Sequence, residues 1–283
     1  MRRNLLIAAA AFSVGAGGAL VHESKPATAP ATPLAARMTT APAPATPSPS
    51  AQAVMSTARA VLNGVGVQSA VEKTQVDVAL DALGGKVRRQ SDPEALRMAF
   101  AAYFNYKTAN PRDVRKPYLY YVDYGLDSRT PRGYVFDMAS LKVVDGPFMV
   151  AHGRGSAPPS SGVPVRFSNR QGSNSTSLGL YLAQETYGFS GKTGGRRYTS
   201  VGLRMKGLSG RFNSAARARG VVAHGAPYVT STRAGRSEGC PAMEQDRART
   251  LLPKIANGGL VFLFSPLDEG WMEHDPWANR SNG

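Results

Sequence analysis

The chain has 283 residues, a formal net charge of +15, and a composition that is 42% hydrophobic and 19% charged. Once its low-complexity front is set aside, that length suits one main domain with a sizeable core. The single cysteine rules out an intramolecular disulfide. Four dispersed histidines with no His-Glu-x-x-His pair do not give zinc-ligand spacing, so no metal or cofactor site is expected.

Met1-Arg-Arg-Asn followed by an apolar run from Leu5 to Val14 has the charge and hydropathy of a secretory signal, with small residues near Ala19 as the cleavage zone. The stretch from Leu5 to Val21 also allows an uncleaved anchor, so residues 1–23 are read as signal peptide or membrane anchor. Residues 24–51 form a linker, because Pro, Ala and Thr fill 20 of the 24 positions from 26 to 49 and cannot bury a core. Residues 52–115 are expected to be a helical segment packed on the main domain. Ser91-Asp-Pro-Glu predicts a helix start, Leu96, Phe100, Tyr103 and Phe104 share one face, and Asn110-Pro111 ends the helix.

From Tyr118 the period changes to that of strands. Runs starting at Tyr118, Gly133, Phe148, Ser177, Val201, Val221 and Leu260 are rich in β-branched and aromatic residues and bounded by turn residues. Arg211–Arg219 reads as a short helix, and Glu244–Ile255 as another, kinked or ended early by Pro253. Many short strands with few helices predict a mainly β domain over residues 116–268, a sandwich or barrel, with the small helical segment in front. Residues 269–283 form a polar tail.

The chemistry concentrates in His224-Gly-Ala-Pro-Tyr-Val and, after a basic loop, Gly235-Arg-Ser-Glu-Gly-Cys-Pro-Ala. A thiol is a useful nucleophile when an imidazole takes its proton and backbone amides hold the oxyanion that forms. Cys240 lies between a glycine and a proline, in a polar and basic context foreign to a core cysteine. Such a site predicts a thiol pKa below the ordinary value and fast alkylation. His152 and His224 both end apolar runs and both precede glycine. Only a short loop separates His224 from Cys240, which favours it weakly as the base.

These motifs resemble those of the L,D-transpeptidases, the YkuD-like enzymes that remodel bacterial peptidoglycan. The match is best to a divergent branch in which Pro-Ala follows the cysteine. It extends through Tyr120-Tyr-Val-Asp-Tyr-Gly, Gly146-Pro-Phe-Met-Val-Ala-His-Gly-Arg-Gly, Phe167-Ser-Asn and Ser177-Leu-Gly-Leu-Tyr. The chain departs from the commoner motif at Glu238, where a His is usual, and at Ala242, where an Asn or Arg is usual.

The resemblance implies a mostly β catalytic domain and acyl transfer on peptidoglycan stem peptides through a thioester at Cys240, resolved by an amine. Water as acceptor, giving a carboxypeptidase or amidase, and an inert peptidoglycan-binding protein are the alternatives. By the same likeness His224 is the base, with the carbonyl of Gly225 orienting its ring. The N–H groups of Gly239 and Cys240 are candidates for the oxyanion hole, and Ser237 for bracing the loop. His152, Arg236, Tyr181 and Arg170 are the substrate-binding candidates.

From His152 to Cys240 the chain carries 13 Lys and Arg against two acids, Glu185 and Glu238. Such a field attracts polyanions, but no nucleic-acid-binding pattern accompanies it and the export signal argues against that partner. Stem peptides carry carboxylates and fit a periplasmic or cell-envelope location.

Overall fold

A computed structural model of the protein describes residues 73–280. The expected signal or anchor, the linker, and residues 52–72 of the helical segment lie outside the described residues.

Thr74 starts the first helix with reciprocal bonds: its Oγ1 accepts the Asp77 N–H at 3.2 Å, and Asp77 Oδ2 accepts the Thr74 N–H at 3.2 Å. Helix α1 then runs Gln75–Leu83, and α2 runs Ala95–Ala109. The latter begins four residues after Ser91, not next to it. The Ser91 hydroxyl donates instead to Asp123 Oδ1 at 2.5 Å, and its N–H donates to Oδ2 at 2.8 Å. Asp92 provides the local turn by accepting the Glu94 N–H at 2.8 Å. The expected face of α2 is in the core, with Leu96, Phe100 and Tyr103 buried and the Phe100 ring 5.6 Å from that of Phe136.

The strands are β1 (Tyr118–Asp123), β2 (Gly133–Asp137), β3 (Lys142–Phe148), β4 (His152–Gly153), β5 (Gly179–Thr193), β6 (Arg196–Gly207), β7 (Val222–Gly225), β8 (Arg236–Ser237), β9 (Ala242–Met243) and β10 (Leu260–Phe264). Helix α3 (Gln245–Ile255) precedes β10, and α4 (Glu269–His274) follows it. Eight strands form one sheet in the order β3-β2-β1-β10-β5-β6-β7-β9, while β4 and β8 pair separately. The β1–β10 and β7–β9 pairs are parallel. Strand β10 is buried along its whole length and β1 nearly so, as expected of central strands covered on both faces. Helix α2 packs on β1 and β10, and α3 on β6 and β7. The chain is therefore mainly β, as its strand-like runs imply.

Three local expectations need correction. Arg211–Arg219 is not an α-helix: a 3-10 turn covers Gly210–Phe212, followed by further turns. There the Asn213 side chain accepts the Ser209 N–H and donates to the Leu180 carbonyl, so it serves the loop and not a helix. The run starting at Phe148 leaves the strand at once, since β3 ends there. Pro253 sits inside α3 without ending it, and Lys116 Nζ donates to the free carbonyls of Pro253 and Lys254.

The polar-tail segment contributes to the core. Trp271 is fully buried, with its ring 5.8 Å from Phe262 and 5.6 Å from Phe264. Asn105 on α2 donates to the Trp277 carbonyl at 2.8 Å, and Trp277 Nε1 donates to the Leu208 carbonyl at 2.9 Å.

Removing either large ring leaves a cavity that the sheet cannot close. Phe100→Ala and Trp271→Ala should each lower the unfolding free energy by about 3–5 kcal/mol in urea titrations. A loss under about 1 kcal/mol for both would show that α2 and α4 are not part of the domain core.

Candidate active site

The turn that carries the thiol is held from three sides. Parallel pairing of β9 with β7 sets His224 opposite Ala242 and Gly225 opposite Met243. The Ala151 N–H donates to the Ala242 carbonyl at 2.8 Å. Pairing of β8 with β4 sets Arg236 opposite His152 and Ser237 opposite Gly153. Within the turn, Ser237 Oγ donates to the Cys240 carbonyl at 2.6 Å and accepts the Gly239 N–H at 3.2 Å. Gly239 has φ +123°, and a Cβ there would lie 3.0 Å from the Ser175 carbonyl oxygen, so the backbone and the space both call for glycine.

His224 is 2% exposed. Its Nδ1 lies 3.0 Å from the Gly225 carbonyl oxygen, an acceptor only, so Nδ1 carries the proton and Nε2 keeps its lone pair. One ring face stacks on Phe189 of β5 at 4.1 Å between centroids and 21° between planes, while Tyr228 approaches edge-on at 6.5 Å. Burial pushes the His224 pKa down to about 4, against a smaller upward pull from the Gly225 carbonyl. The imidazole is thus neutral at neutral pH.

Cys240 is half-buried, and its Sγ lies 3.9 Å from the Gly220 carbonyl oxygen. Burial pushes the thiol up from its ordinary value. The Val222 backbone and the Arg219 guanidinium pull it back, and Glu238 adds to the rise. This direction is opposite to the expected lowering, because desolvation outweighs the combined pull of the Val222 backbone and the Arg219 guanidinium. Both directions favour a neutral thiol beside a neutral imidazole.

Cys240 and His224 open on one cleft of about 680 Å³ that Arg219, Phe189, Tyr198 and Tyr228 also line. Among the described residues, no group of three His, Cys, Asp or Glu gathers as metal ligands. The Gly239 N–H, expected in an oxyanion hole, is already donated to Ser237. The Cys240 N–H has no protein acceptor among the described residues.

The four substrate-binding expectations fare differently. His152 is fully buried and does not line the cleft. Its Nδ1 accepts from Arg132 Nη2 at 2.9 Å, its Nε2 is buried without a partner, and burial holds its pKa down at about 3. It braces the start of β4. Tyr181 is also fully buried, its hydroxyl donating to the Ser177 carbonyl at 2.7 Å, because β5 is covered on both faces there. Arg236 does line the cleft, but its guanidinium donates to the carbonyls of Ala157, Pro158, Pro159 and Ser161 and so ties down their loop. Arg170 is exposed in a separate cleft with Arg166 and Asp268.

Phe189 and Arg219 escaped the sequence reading. A Gly194-Gly195 turn with φ +53° and +80° extends the β5–β6 hairpin far beyond the apolar cores of its strands, and this outer half carries Phe189. That two-glycine turn was the available signal. Arg219 had none, since its partners are the Ser168 and Ser175 carbonyls and the Ser173 and Ser177 hydroxyls of a distant loop.

A thiol with a raised pKa is mostly protonated at neutral pH, and its thiolate fraction grows until pH passes that pKa. Iodoacetamide labelling of native Cys240 should accelerate about tenfold per unit from pH 7 to 9. A rate already at its plateau below pH 7 would mean a resting thiolate and contradict the neutral pair.

The family model for the L,D-transpeptidase catalytic domain matches residues 88–264. No curated protein matches the chain. Among solved structures, an L,D-transpeptidase from Mycobacterium smegmatis is 15% identical, with 53% of this chain and 59% of that one covered and a TM-score of 0.33. An L,D-transpeptidase from Mycobacterium tuberculosis H37Rv is 14% identical over 53% of this chain and 58% of that one, with a TM-score of 0.31. One from Stackebrandtia nassauensis is 14% identical over 67% and 75%, with a TM-score of 0.33. The match thus spans under two thirds of the length of the mycobacterial structures. The family model covers more than half of the chain, and the chain belongs to the L,D-transpeptidase catalytic domain family.

Proposed function

We propose that this protein is a cysteine acyltransferase that cross-links peptidoglycan stem peptides in the cell envelope. Residues 116–268 are its catalytic domain, and the preceding segments serve export, reach and support. The observation that carries the reading is that Cys240 and His224 share one cleft while the Gly225 carbonyl keeps the proton on Nδ1 of the base.

In this scheme the Cys240 thiol gives its proton to His224 Nε2 as sulfur attacks a stem-peptide carbonyl carbon. The oxyanion forms beside the Cys240 N–H. The carbon–nitrogen bond breaks, and the leaving amine takes the proton back from the imidazolium. A second amine then attacks the thioester, His224 accepts its proton, and the thiol leaves reprotonated with the new amide formed. A neutral resting pair suits this path, because the proton moves only when a carbonyl is present. Ser237 holds the turn, and Arg219 places positive charge beside the sulfur as negative charge develops on it.

Incubation with muropeptides followed by mass spectrometry tests the reading. Cross-linked dimers support it, shortened monomers mean that water is the acceptor, and unchanged substrate with measurable binding means an inert module. Cys240→Ala should abolish product, and His224→Ala should lower kcat by about 10²–10⁴-fold. A free-enzyme base must be neutral to act, so kcat/KM should hold as pH falls and drop only as His224 protonates near pH 4. Phe189→Ala uncovers the ring and should move that acid limb up towards 6.5, the ordinary imidazole value. An unmoved limb would remove His224 from the role of base.

A further inference from the structure

The cleft around Cys240 is lined by five cations, Arg154, Lys192, Arg197, Arg219 and Arg236, and by one acid, Glu238. Their hydrogen bonds divide them. Arg219 and Arg236 direct their guanidinium groups at loop carbonyls and serine hydroxyls. Arg154 pairs with Glu238 at 3.4 Å. Lys192 and Arg197 are exposed, and among the described residues neither has an ion-pair or side-chain hydrogen-bond partner.

These two sit directly opposite each other across the β5–β6 hairpin, one residue from its two-glycine turn. Like charges in directly opposed positions destabilise a hairpin. The chain does nothing to relieve this pair, since residues 186–200 contain Lys192, Arg196 and Arg197 and no acid. The nearest acid on the hairpin, Glu185, is held at its base by Arg204 and Arg217, at 3.1 and 3.2 Å. A repulsive pair on the lining of the nucleophile's cleft and free of internal partners is arranged to receive a negative group from outside.

We infer that Lys192 and Arg197 form a carboxylate-binding subsite at the mouth of the Cys240 cleft, which holds a free carboxylate of the peptide substrate while the thiol attacks. This rests on the acyl-transfer reading for the choice of peptide, but not for the choice of carboxylate. The two charges also draw anions towards the sulfur, and added salt screens that attraction.

The test compares alkylation of Cys240 by iodoacetate, an anion, with that by neutral iodoacetamide, in the wild type and in Lys192→Gln/Arg197→Gln. The double variant should lower the iodoacetate-to-iodoacetamide rate ratio by about threefold or more at low ionic strength, and by less as salt rises. Arg196→Gln, at the same tip but outside the cleft lining, should change the ratio less. For a stem peptide with a free C-terminal carboxylate the double variant should raise KM about tenfold with little change in kcat, while the C-terminal amide of that peptide should be affected less than about twofold. Because removing the repulsion cannot weaken the hairpin, its melting temperature should stay level or rise. An unchanged rate ratio, or an equal KM rise for acid and amide, overturns the subsite. A lowered ratio in a protein that turns over no stem peptide supports the subsite and overturns the acyl-transfer reading instead.

Discussion

The position of the nucleophile depends on a parallel pairing only two residues long. Strand β9 has no turn of its own to fix it, and its register comes from β7 on one side and the Ala151 N–H on the other. His224 lies opposite Ala242, the first residue of β9 and two beyond Cys240, so this pairing carries the end of the thiol's turn to the strand that bears the base. Cleft and base therefore follow from one register. The brace of His152 on Arg132 beneath β4, and the ties from Arg236 to the 157–161 loop, hold the other side of the same turn.

Burial dominates the electrostatics of the two reacting groups at that turn. Burial is the largest cause of the shifts at both His224 and Cys240, and it moves them in opposite directions, base down and acid up. Each movement favours the uncharged form. Behind the histidine stands a backbone carbonyl, which adds no full negative charge to favour an imidazolium. A carbonyl fixes the tautomer without strongly stabilising an imidazolium, so the site is primed by geometry and not by a standing charge.

Much of this was legible in the chain, for physical reasons that differ by residue. The strand cores at Tyr118 and Leu260 and the α2 face at Leu96 and Phe100 could be read because burial imposes a period on apolar residues. The turn through Ser237, Gly239 and Cys240 could be read because a tight turn limits what each position accepts, but not that Ser237 takes the Gly239 N–H. The roles of His152, Arg236 and Tyr181 could not, because a polar or charged residue has the same appearance in sequence whether it faces a cleft or finds a partner within the fold. Their partners are carbonyls and hydroxyls that the fold brings from elsewhere: Arg132 for His152, the 157–161 loop for Arg236, Ser177 for Tyr181. The outer hairpin was hidden because its exposed half has no apolar period, and only the Gly194-Gly195 pair marked its turn.

On this reading the thiol and the imidazole are both neutral at rest, with the imidazole proton on Nδ1. Nitrogen and carbon NMR of labelled His224 measures this directly. A neutral ring protonated at Nδ1 is expected throughout the neutral range, taking up a second proton only near pH 4. An imidazolium signal at pH 7 that disappears in Cys240→Ala would show a resting thiolate–imidazolium pair and contradict it.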